Sequence, residues 1–188
     1  MGFLDAILGR TKQAKPNLDA LFSVPTAALT LEAAAEIRPT GVGAVCFREM
    51  EGGPFARLKD EMTALLGGAE PEEHKDSYGY TWMVIKHDPQ DVSGLVTHLH
   101  AANTTLEGSG FGPALLCSTI GFSSSDGAAL ALVYLYKQGT FYPFAPTSER
   151  AQERNSALEL QVRAMISDEL PIEDDLSRWF PVWGAPGL

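Results

Sequence analysis

Residues 114–138, ALLCSTIGFSSSDGAALALVYLYKQ, decide the fold. Two β-rich apolar runs lie on either side of SSDG, and the pair Asp126–Gly127 accepts the positive φ angles of a tight turn. The two runs are therefore predicted to form adjacent antiparallel strands. A second turn at KQG leads into TFYPF, where Pro143 lacks the amide hydrogen that an inner strand needs. This third strand is predicted at the edge of the sheet.

Upstream of this hairpin, the sequence predicts two more strands and then a third. The runs TAALTLEA and GVGAVCFRE are predicted as strands that RPTG joins by a turn. YGYTWMVIKHD is predicted as a strand that is covered on both faces near its middle. The stretch directly before that strand, AEPEEHKDS, is predicted as a polar, acidic loop.

Helices are predicted where apolar residues recur at helical spacing. NLDALFSVP is predicted as a short helical turn that Pro25 stops, and GPFARLKDEMTALLGG as a helix that ends at its two glycines. Asp91 is predicted to cap the helix VSGLVTHLHAANTTLEG. SERAQERNSALELQVRAMISDEL is predicted as a long helix with Ala151 among its inward residues.

These elements follow in the order α-β-β-α-β-α-β-β-β-α, which predicts an α+β fold with a largely antiparallel sheet covered by helices. The 188 residues are expected to form an N-terminal amphipathic basic arm, 1–16, and a single α+β domain, 17–188, with an aromatic C-terminal tail.

Composition excludes several classes of protein. The net charge of -10 argues against a nucleic-acid partner, because such binding depends on Lys and Arg neutralising phosphates. No run approaches the roughly 18–20 apolar residues that a membrane-spanning helix needs. Cys46 and Cys117 each lie in an apolar run and are predicted to be small buried hydrophobes in a reducing compartment. A cytoplasmic protein is expected.

The sequence predicts no catalytic residues, no metal site and no cofactor. His98 and His100 lie two apart on a helix and point in different directions, so they cannot face one ion together. A site that also draws on His74 and His87 stays open as a minor alternative. The glycine-rich stretches precede strands, whereas a pyrophosphate loop opens a helix, and GFSSSDG lacks the G-x-S-x-G pattern of a hydrolase.

Aromatic residues are dense near the C-terminus. Large aromatic side chains in RWFPVW either cover the core or bind a partner, since exposed they would form an apolar patch. Both interpretations stay open. The candidate partner contacts are Tyr134, Tyr136, Phe141, Tyr142, Phe144, Trp179, Phe180 and Trp183.

The N-terminal arm combines an apolar helical face with basic residues. The face is formed by Phe3, Leu4, Ile7 and Leu8, and the basic residues that follow are Arg10, Lys12 and Lys15. This pattern favours weak, reversible attachment to an anionic membrane or to a partner. Packing of the same face on the protein's own core or on a second subunit is the equal alternative.

The phrases MGFLDAILGR, PNLDALFSVPTAALTLEAA, RPTGVGAVCFR and GYTWMVI, together with GFGPALLCSTIGF followed by LVYLYKQGTFYPFAP, carry a resemblance that runs nearly end to end. They resemble the PspA-associated protein PspAB family of prokaryotes. The resemblance implies a phage-shock-type envelope-stress setting, with a PspA-like membrane effector and an HtpX-like membrane metalloprotease as candidate partners. The order of elements is also similar to the type III secretion chaperone-like, or YbjN-like, fold.

Together, these observations predict a non-enzymatic accessory or adaptor protein of a membrane-stress response that binds a protein partner. It is expected in the cytoplasm and peripherally at the inner face of the membrane. Two alternatives stay open. One is a small-ligand-binding or enzymatic domain with a pocket between sheet and helices around Trp82, His98 and Tyr134. The other is a secretion-chaperone-like homodimer that binds peptide segments.

Overall fold

The computed structural model describes residues 16–48, 53–67 and 71–188 and shows one α+β domain built on a six-stranded antiparallel sheet. The strands of this sheet lie in the order β2-β3-β1-β4-β5-β6. They are β1 (Arg38–Arg48), β2 (Glu72–Lys75), β3 (Tyr80–Lys86), β4 (Leu115–Ser123), β5 (Ala129–Leu135) and β6 (Thr140–Phe144). The α-helices are α1 (Val24–Ala35), α2 (Gly53–Leu65), α3 (Val92–Leu106) and α4 (Ser156–Ile166). The predicted fold class is confirmed.

The hairpin predicted from SSDG is present. Strands β4 and β5 pair antiparallel from Cys117 opposite Leu135 to Ser123 opposite Ala129, and Gly127 has a φ of 86° in the turn. Strand β6 follows at the edge, with Pro143 in it. Residues 171–173 cover that edge, because the Phe141 amide donates to the Pro171 carbonyl and the Glu173 amide to the Phe141 carbonyl, both at 2.8 Å.

The prediction of a strand at TAALTLEA is wrong, because this stretch lies in helix α1. Pro25 occupies the first turn of α1, where its missing amide hydrogen costs nothing, so it begins this helix and does not stop the preceding 3-10 helix, Leu18–Ser23. Val24, Ala27 and Leu31 are fully buried along one side of α1. The alanine-rich composition and this spacing both favour a helix.

The RPTG stretch is also not a turn between strands, since it opens β1. Its glycine, Gly41, has a φ of 78° at an irregular step in the pairing of β1 with β4. A Cβ atom there would lie 2.2 Å from the carbonyl oxygen of His87. The glycine therefore serves a bulge and a close backbone approach within a strand.

Two polar stretches differ from their predictions. The predicted acidic loop AEPEEHKDS contains the edge strand β2, whose four residues are all exposed; charged side chains of this kind protect a free edge. The predicted long C-terminal helix is shorter, because Asn155 caps α4 by accepting from the Leu158 amide at 3.0 Å. Before that cap, β7 (Pro146–Ser148) and β8 (Glu153–Arg154) form a small two-stranded sheet, and Ala151 is exposed.

The two faces of the large sheet are covered differently. Helices α1, α3 and α4 lie on one side, which we call the helix face, over side chains that include Phe47, Met83, Ile120, Leu132 and Tyr134. By length and composition alone the stretch Leu18–Ala35 is apolar enough to cross a membrane, contrary to the sequence expectation. In the fold, however, its residues Leu21, Val24, Ala27 and Leu31 belong to the core of the helix face.

Candidate functional site

The second face of the sheet carries the candidate site. Its buried side chains are Ala44, Cys46, Trp82, Cys117, Ala131, Val133, Tyr142 and Phe144. Among the residues that the structure describes, no α-helix contributes to this second cluster. Instead the chain after residue 171 contributes Trp179 and Ala185, with Ile172, Val182 and Trp183 packed around them. We call this side the tail face and residues 171–188 the tail.

Aromatic contacts and hydrogen bonds hold the tail in place. The rings of Tyr142 and Trp179 are stacked with centroids 5.9 Å apart, and the Tyr142 hydroxyl donates to the Phe180 carbonyl at 2.7 Å. The Trp179 indole donates to the Glu173 carbonyl at 2.9 Å. Trp183 meets the ring of Phe144 edge-on at 4.9 Å. The polar groups of the two buried rings, Tyr142 and Trp179, thus have partners, as burial requires.

A buried ion pair joins the tail to the helix layer. Arg154 Nε donates to the two carboxylate oxygens of Glu159 at 2.8 and 3.0 Å, and the Ala145 amide donates to the same carboxylate at 2.8 Å. Arg154 Nη1 donates to the Trp179 carbonyl at 2.9 Å, and its guanidinium lies 4.9 Å from the centre of the Phe144 ring. One arginine therefore connects α4, β8 and the tail.

The tail leaves part of this face open, and the opening is a cleft of about 730 Å³. Its floor is the sheet, one wall is the tail, and another is the β2–β3 turn. The side chains that line it are mostly apolar or aromatic. They include Cys46, Tyr78, Tyr80, Trp82, Leu116, Cys117, Leu135, Tyr142, Phe180, Val182 and Trp183, with Asp76, Lys137, Gln138, Gln152 and Arg178 as polar members.

Asp76 organises the β2–β3 side of the cleft. Its carboxylate accepts from the Trp82 indole at 2.9 Å and from the amides of Tyr78 and Tyr80 at 2.9 and 3.0 Å. Burial, the largest single influence, would raise the pKa of this carboxyl, but the hydrogen bonds from Trp82, Tyr80 and Tyr78 together lower it. Asp76 therefore fixes the indole of Trp82 on the floor of the cleft while it remains ionised.

Cys46 and Cys117 lie side by side on the floor of the cleft. They are direct partners in the pairing of β1 with β4, and both are free and buried, as the sequence predicted. The hydrogen bond with Cys117, followed by burial, raises the pKa of the Cys46 thiol well above its usual value. A thiol in this state is protonated and weakly nucleophilic.

Alternation along the strands divides the predicted aromatic contacts between the two faces. Tyr134, Tyr136 and Phe141 are buried in the helix-face cluster, and Tyr142, Phe144 and Trp179 in the tail-face cluster. Phe180 remains 58% exposed and Trp183 is half-buried, and both line the cleft. Their contact with a partner stays a prediction. The residues predicted in the N-terminal arm, Phe3 to Lys15, lie outside the described residues.

The pocket that the sequence alternative placed between sheet and helices is not formed by its three residues. Trp82 lies on the tail face, Tyr134 on the helix face, and only Trp82 lines the cleft. Sequence reasoning missed Asp76 and Tyr78 as cleft residues. The signal available was DSYGY, an Asp followed by turn residues directly before a strand, which is the pattern of a side chain that hydrogen-bonds nearby amides.

The histidines form two separate arrangements. His87 Nε2 lies 2.8 Å from His98 Nδ1, and His87 Nδ1 lies 3.1 Å from a carboxylate oxygen of Asp91. His100 instead contacts Asp19 at 3.1 Å, so His98 and His100 face different partners, as predicted. Burial and the neighbouring His87 lower the pKa of His98. Within the described ranges, no group of three or more His, Cys, Asp or Glu residues could hold a metal ion.

The fold and the cleft define a small α+β protein with an aromatic-lined cleft on one face of an antiparallel sheet. The sequence model of the PspA associated protein B family, PspAB, matches residues 1–187, and the chain belongs to this family. No curated protein and no solved structure matches the chain.

Proposed function

We propose that this protein is a non-enzymatic accessory protein of a phage-shock-type membrane-stress response, and that its cleft binds a segment of a PspA-like protein. The family description supplies the partner, since it names association with PspA. The observation that carries the proposal is the open cleft, whose rim exposes two aromatic side chains, Tyr78 at 57% and Phe180 at 58%. Large exposed aromatic groups beside a groove are typical of protein-binding surfaces.

The composition of the cleft supports a protein segment as the occupant. Tyr, Trp and Arg dominate the energetic centres of protein interfaces, and the cleft offers all three, with Trp82 and Trp183 inside it and Arg178 at its border. Lys137 and Arg178 supply positive charge on the side of the β5–β6 turn and the tail, while Asp76 supplies negative charge on the side of the β2–β3 turn. A segment with apolar side chains between charged ends would match this surface.

The state of the titratable groups in the cleft supports a binding role over catalysis. The carboxylate of Asp76 already accepts three hydrogen bonds, and its lowered pKa keeps it ionised. The raised pKa of Cys46 keeps that thiol protonated, the reverse of what an activated nucleophile needs.

The N-terminal arm is proposed as a second contact. Its apolar face and three basic residues would hold the protein near an anionic membrane surface or on the same partner, at the inner face of the membrane. An HtpX-like protease and a second copy of this chain are the other proteins that the arm or the cleft could contact.

The test measures binding of purified variants to a PspA-like protein by calorimetry and to anionic vesicles by co-sedimentation. The cleft variant Tyr78→Asp/Phe180→Asp is expected to bind the PspA-like protein at least about tenfold more weakly, because two exposed aromatic anchors are lost. Leu29→Asp is the matched control, since Leu29 is 69% exposed on α1 and does not line the cleft. It should bind like the wild type.

A second variant, Leu4→Glu/Ile7→Glu, changes the arm alone and so separates binding by the arm from binding by the cleft. It should lose vesicle co-sedimentation, with an unchanged circular dichroism spectrum. Full binding of the PspA-like protein by the cleft variant would contradict the cleft as the binding surface. Full co-sedimentation of the arm variant would contradict the arm as the membrane contact.

One observation favours a second candidate function, a small-ligand-binding domain. The cleft volume of about 730 Å³ falls within the range of about 300–1,000 Å³ that is usual for small-molecule sites. Thermal stabilisation by an apolar or aromatic metabolite would support this function. In the same preparations, light scattering distinguishes a monomer from a chaperone-like homodimer.

A further inference from the structure

The two cysteines of the cleft floor are placed as a cross-strand pair. Cys46 of β1 lies directly opposite Cys117 of β4, and both belong to the tail-face cluster. Opposite residues of an antiparallel pair have Cα atoms about 4.5–5.5 Å apart, which falls within the range of about 4.4–6.8 Å that a disulfide spans. The strand geometry therefore permits a bond between the two sulfur atoms.

Local irregularity gives the strands room to adjust. The pairing shifts immediately after this position, because Cys46 is opposite Cys117 while Phe47 is opposite Leu115. A step of this kind places an extra residue, Leu116, on one strand and interrupts the regular ladder. The small approach that bond formation requires is thus next to a site where the ladder is already relaxed.

The pair is also chemically isolated and accessible. The chain contains two cysteines in total, so neither has another intramolecular partner. The two residues face each other directly across the strand pair, so their thiols are neighbours on the same face of the sheet. Both side chains line the cleft, which opens to solvent, so a small reagent can reach them despite their low exposure.

We infer that Cys46 and Cys117 form a reversible cross-strand disulfide when the cleft meets a low-molecular-weight disulfide such as oxidised glutathione. One cysteine thiolate attacks a sulfur atom of the glutathione disulfide, forms a mixed disulfide and releases one glutathione thiolate. The second cysteine thiolate attacks the protein sulfur of the mixed disulfide, closes the bond between β1 and β4 and releases the second glutathione. The two protein thiols lose two protons and two electrons, and one glutathione disulfide becomes two glutathione molecules.

This modification site goes beyond the proposed binding function and does not depend on it. Attack needs a thiolate, and both the hydrogen bond to Cys117 and burial disfavour the thiolate of Cys46. The bond is therefore expected to form slowly and to mark sustained oxidation. Once formed, it would replace two S–H groups on the cleft floor and fix β1 to β4 beside Trp82.

The experiment incubates the folded wild-type protein in a series of reduced and oxidised glutathione mixtures, followed by acid quench, alkylation and mass spectrometry. The expected product is a monomer that has lost two hydrogen atoms, no longer alkylates, and gives a linked peptide pair containing residues 46 and 117. Dithiothreitol should restore both thiols. Because the fold aligns the pair, half-oxidation should need at least about tenfold less oxidised glutathione than in the chain unfolded by denaturant.

Cys117→Ser serves as the control variant and should give a glutathione adduct without an internal link. If this variant does not fold, the peptide mapping of the wild-type protein still decides the test. The inference is overturned if the folded wild type retains two alkylatable thiols in the most oxidising mixture, if it forms only glutathione adducts or dimers, or if the unfolded chain forms the link more readily. No partner protein enters this assay, so its failure would be distinct from failure of the proposed binding.

Discussion

The helix face and the tail face of the sheet are built from the same strands, yet they are closed to different degrees. On β1, Phe47 points to the helix face and Cys46 to the tail face; on β3, Met83 and Trp82 divide in the same way. Under the helices, the side chains form one cluster that α1, α3 and α4 cover. On the other side, the tail covers the sheet in part and leaves a cleft of about 730 Å³. Strand alternation thus separates a closed face from a face that is partly open to solvent.

The largest expected effect comes from breaking the ion pair that connects the two sides. Glu159→Ala removes the partner of Arg154 and leaves a largely buried guanidinium without its carboxylate. Breaking a buried pair in this way costs about 3–5 kcal/mol, and we expect a loss of that size in the free energy of unfolding by urea denaturation. The tail should be loosened with it, since Glu159 positions the arginine that donates to the Trp179 carbonyl.

Two further variants show whether the unpaired charge is the cause. Arg154→Ala/Glu159→Ala removes both charges and should be less destabilised than Glu159→Ala alone. Glu153→Ala, which changes an exposed carboxylate in β8, should stay near the wild type. An equal loss in the single and the double variant would show that the charge pair does not dominate.

The same substitution on the two faces sharpens the contrast directly. Leu132 and Leu135 both lie on β5, but Leu132 is fully buried on the helix face and Leu135 is half-buried in the cleft. Leu132→Ala should lower the free energy of unfolding by about 2–5 kcal/mol because it leaves a cavity in a closed core. Leu135→Ala should cost about 1 kcal/mol, since the site is already open to solvent. Equal costs in chemical denaturation would show that the tail face is packed as tightly as the helix face.

The elements predicted correctly are those that one or two residues determine through a turn, a proline or a helix cap. The Asp126–Gly127 turn predicted the β4–β5 hairpin, Pro143 predicted the edge position of β6, and Asp91 predicted the N-terminus of α3, where it accepts from the Gly94 amide at 2.9 Å. Each of these features is set by the conformational limits of one or two residues. The fold class followed from their order.

Elements with conflicting local signals were predicted incorrectly. TAALTLEA is short and apolar and contains two threonines, which fits a strand, but its alanines and the helical spacing of its buried residues favour the helix that forms. Strand β2 consists of EEHK, and such a charged stretch is typical of a loop. It forms a strand because the neighbouring β3 supplies hydrogen-bond partners. For β2, tertiary contacts override the local preference.

The cleft could not be predicted because it depends on pairings between distant parts of the chain. Cys46 and Cys117 become neighbours only through the β1–β4 register, and sequence order does not reveal which residues face each other across those strands. The tail crosses the sheet because Tyr142 and Phe144 hold Trp179 and Trp183. The sequence indicated that the tail aromatics either pack on the core or bind a partner. In the structure Trp179 is buried, Trp183 is half-buried and Phe180 is exposed.

The smallest expected effect is a pH dependence of the tail face. Hydrogen bonds from Trp82, Tyr80 and Tyr78 outweigh burial and place the pKa of Asp76 below the ordinary value of 3.8. The ionised carboxylate therefore stabilises the fold at pH values above about 3.8, and this contribution is lost as the pH falls through the lower, folded-state value. Between about pH 6 and pH 2, Asp76→Asn should lose less stability than the wild type, by a small margin, because the group is partly exposed to solvent. In the wild type, the NMR signal of the Trp82 indole Nε1 proton should shift over the same acidic range, and in Asp76→Asn it should not. The control variant is Asp60→Asn on α2, in which the Trp82 signal should shift as it does in the wild type. A Trp82 signal that is indifferent to acid would show that the carboxylate does not hold the indole, and the stability of the tail face would then not depend on the ionisation of Asp76.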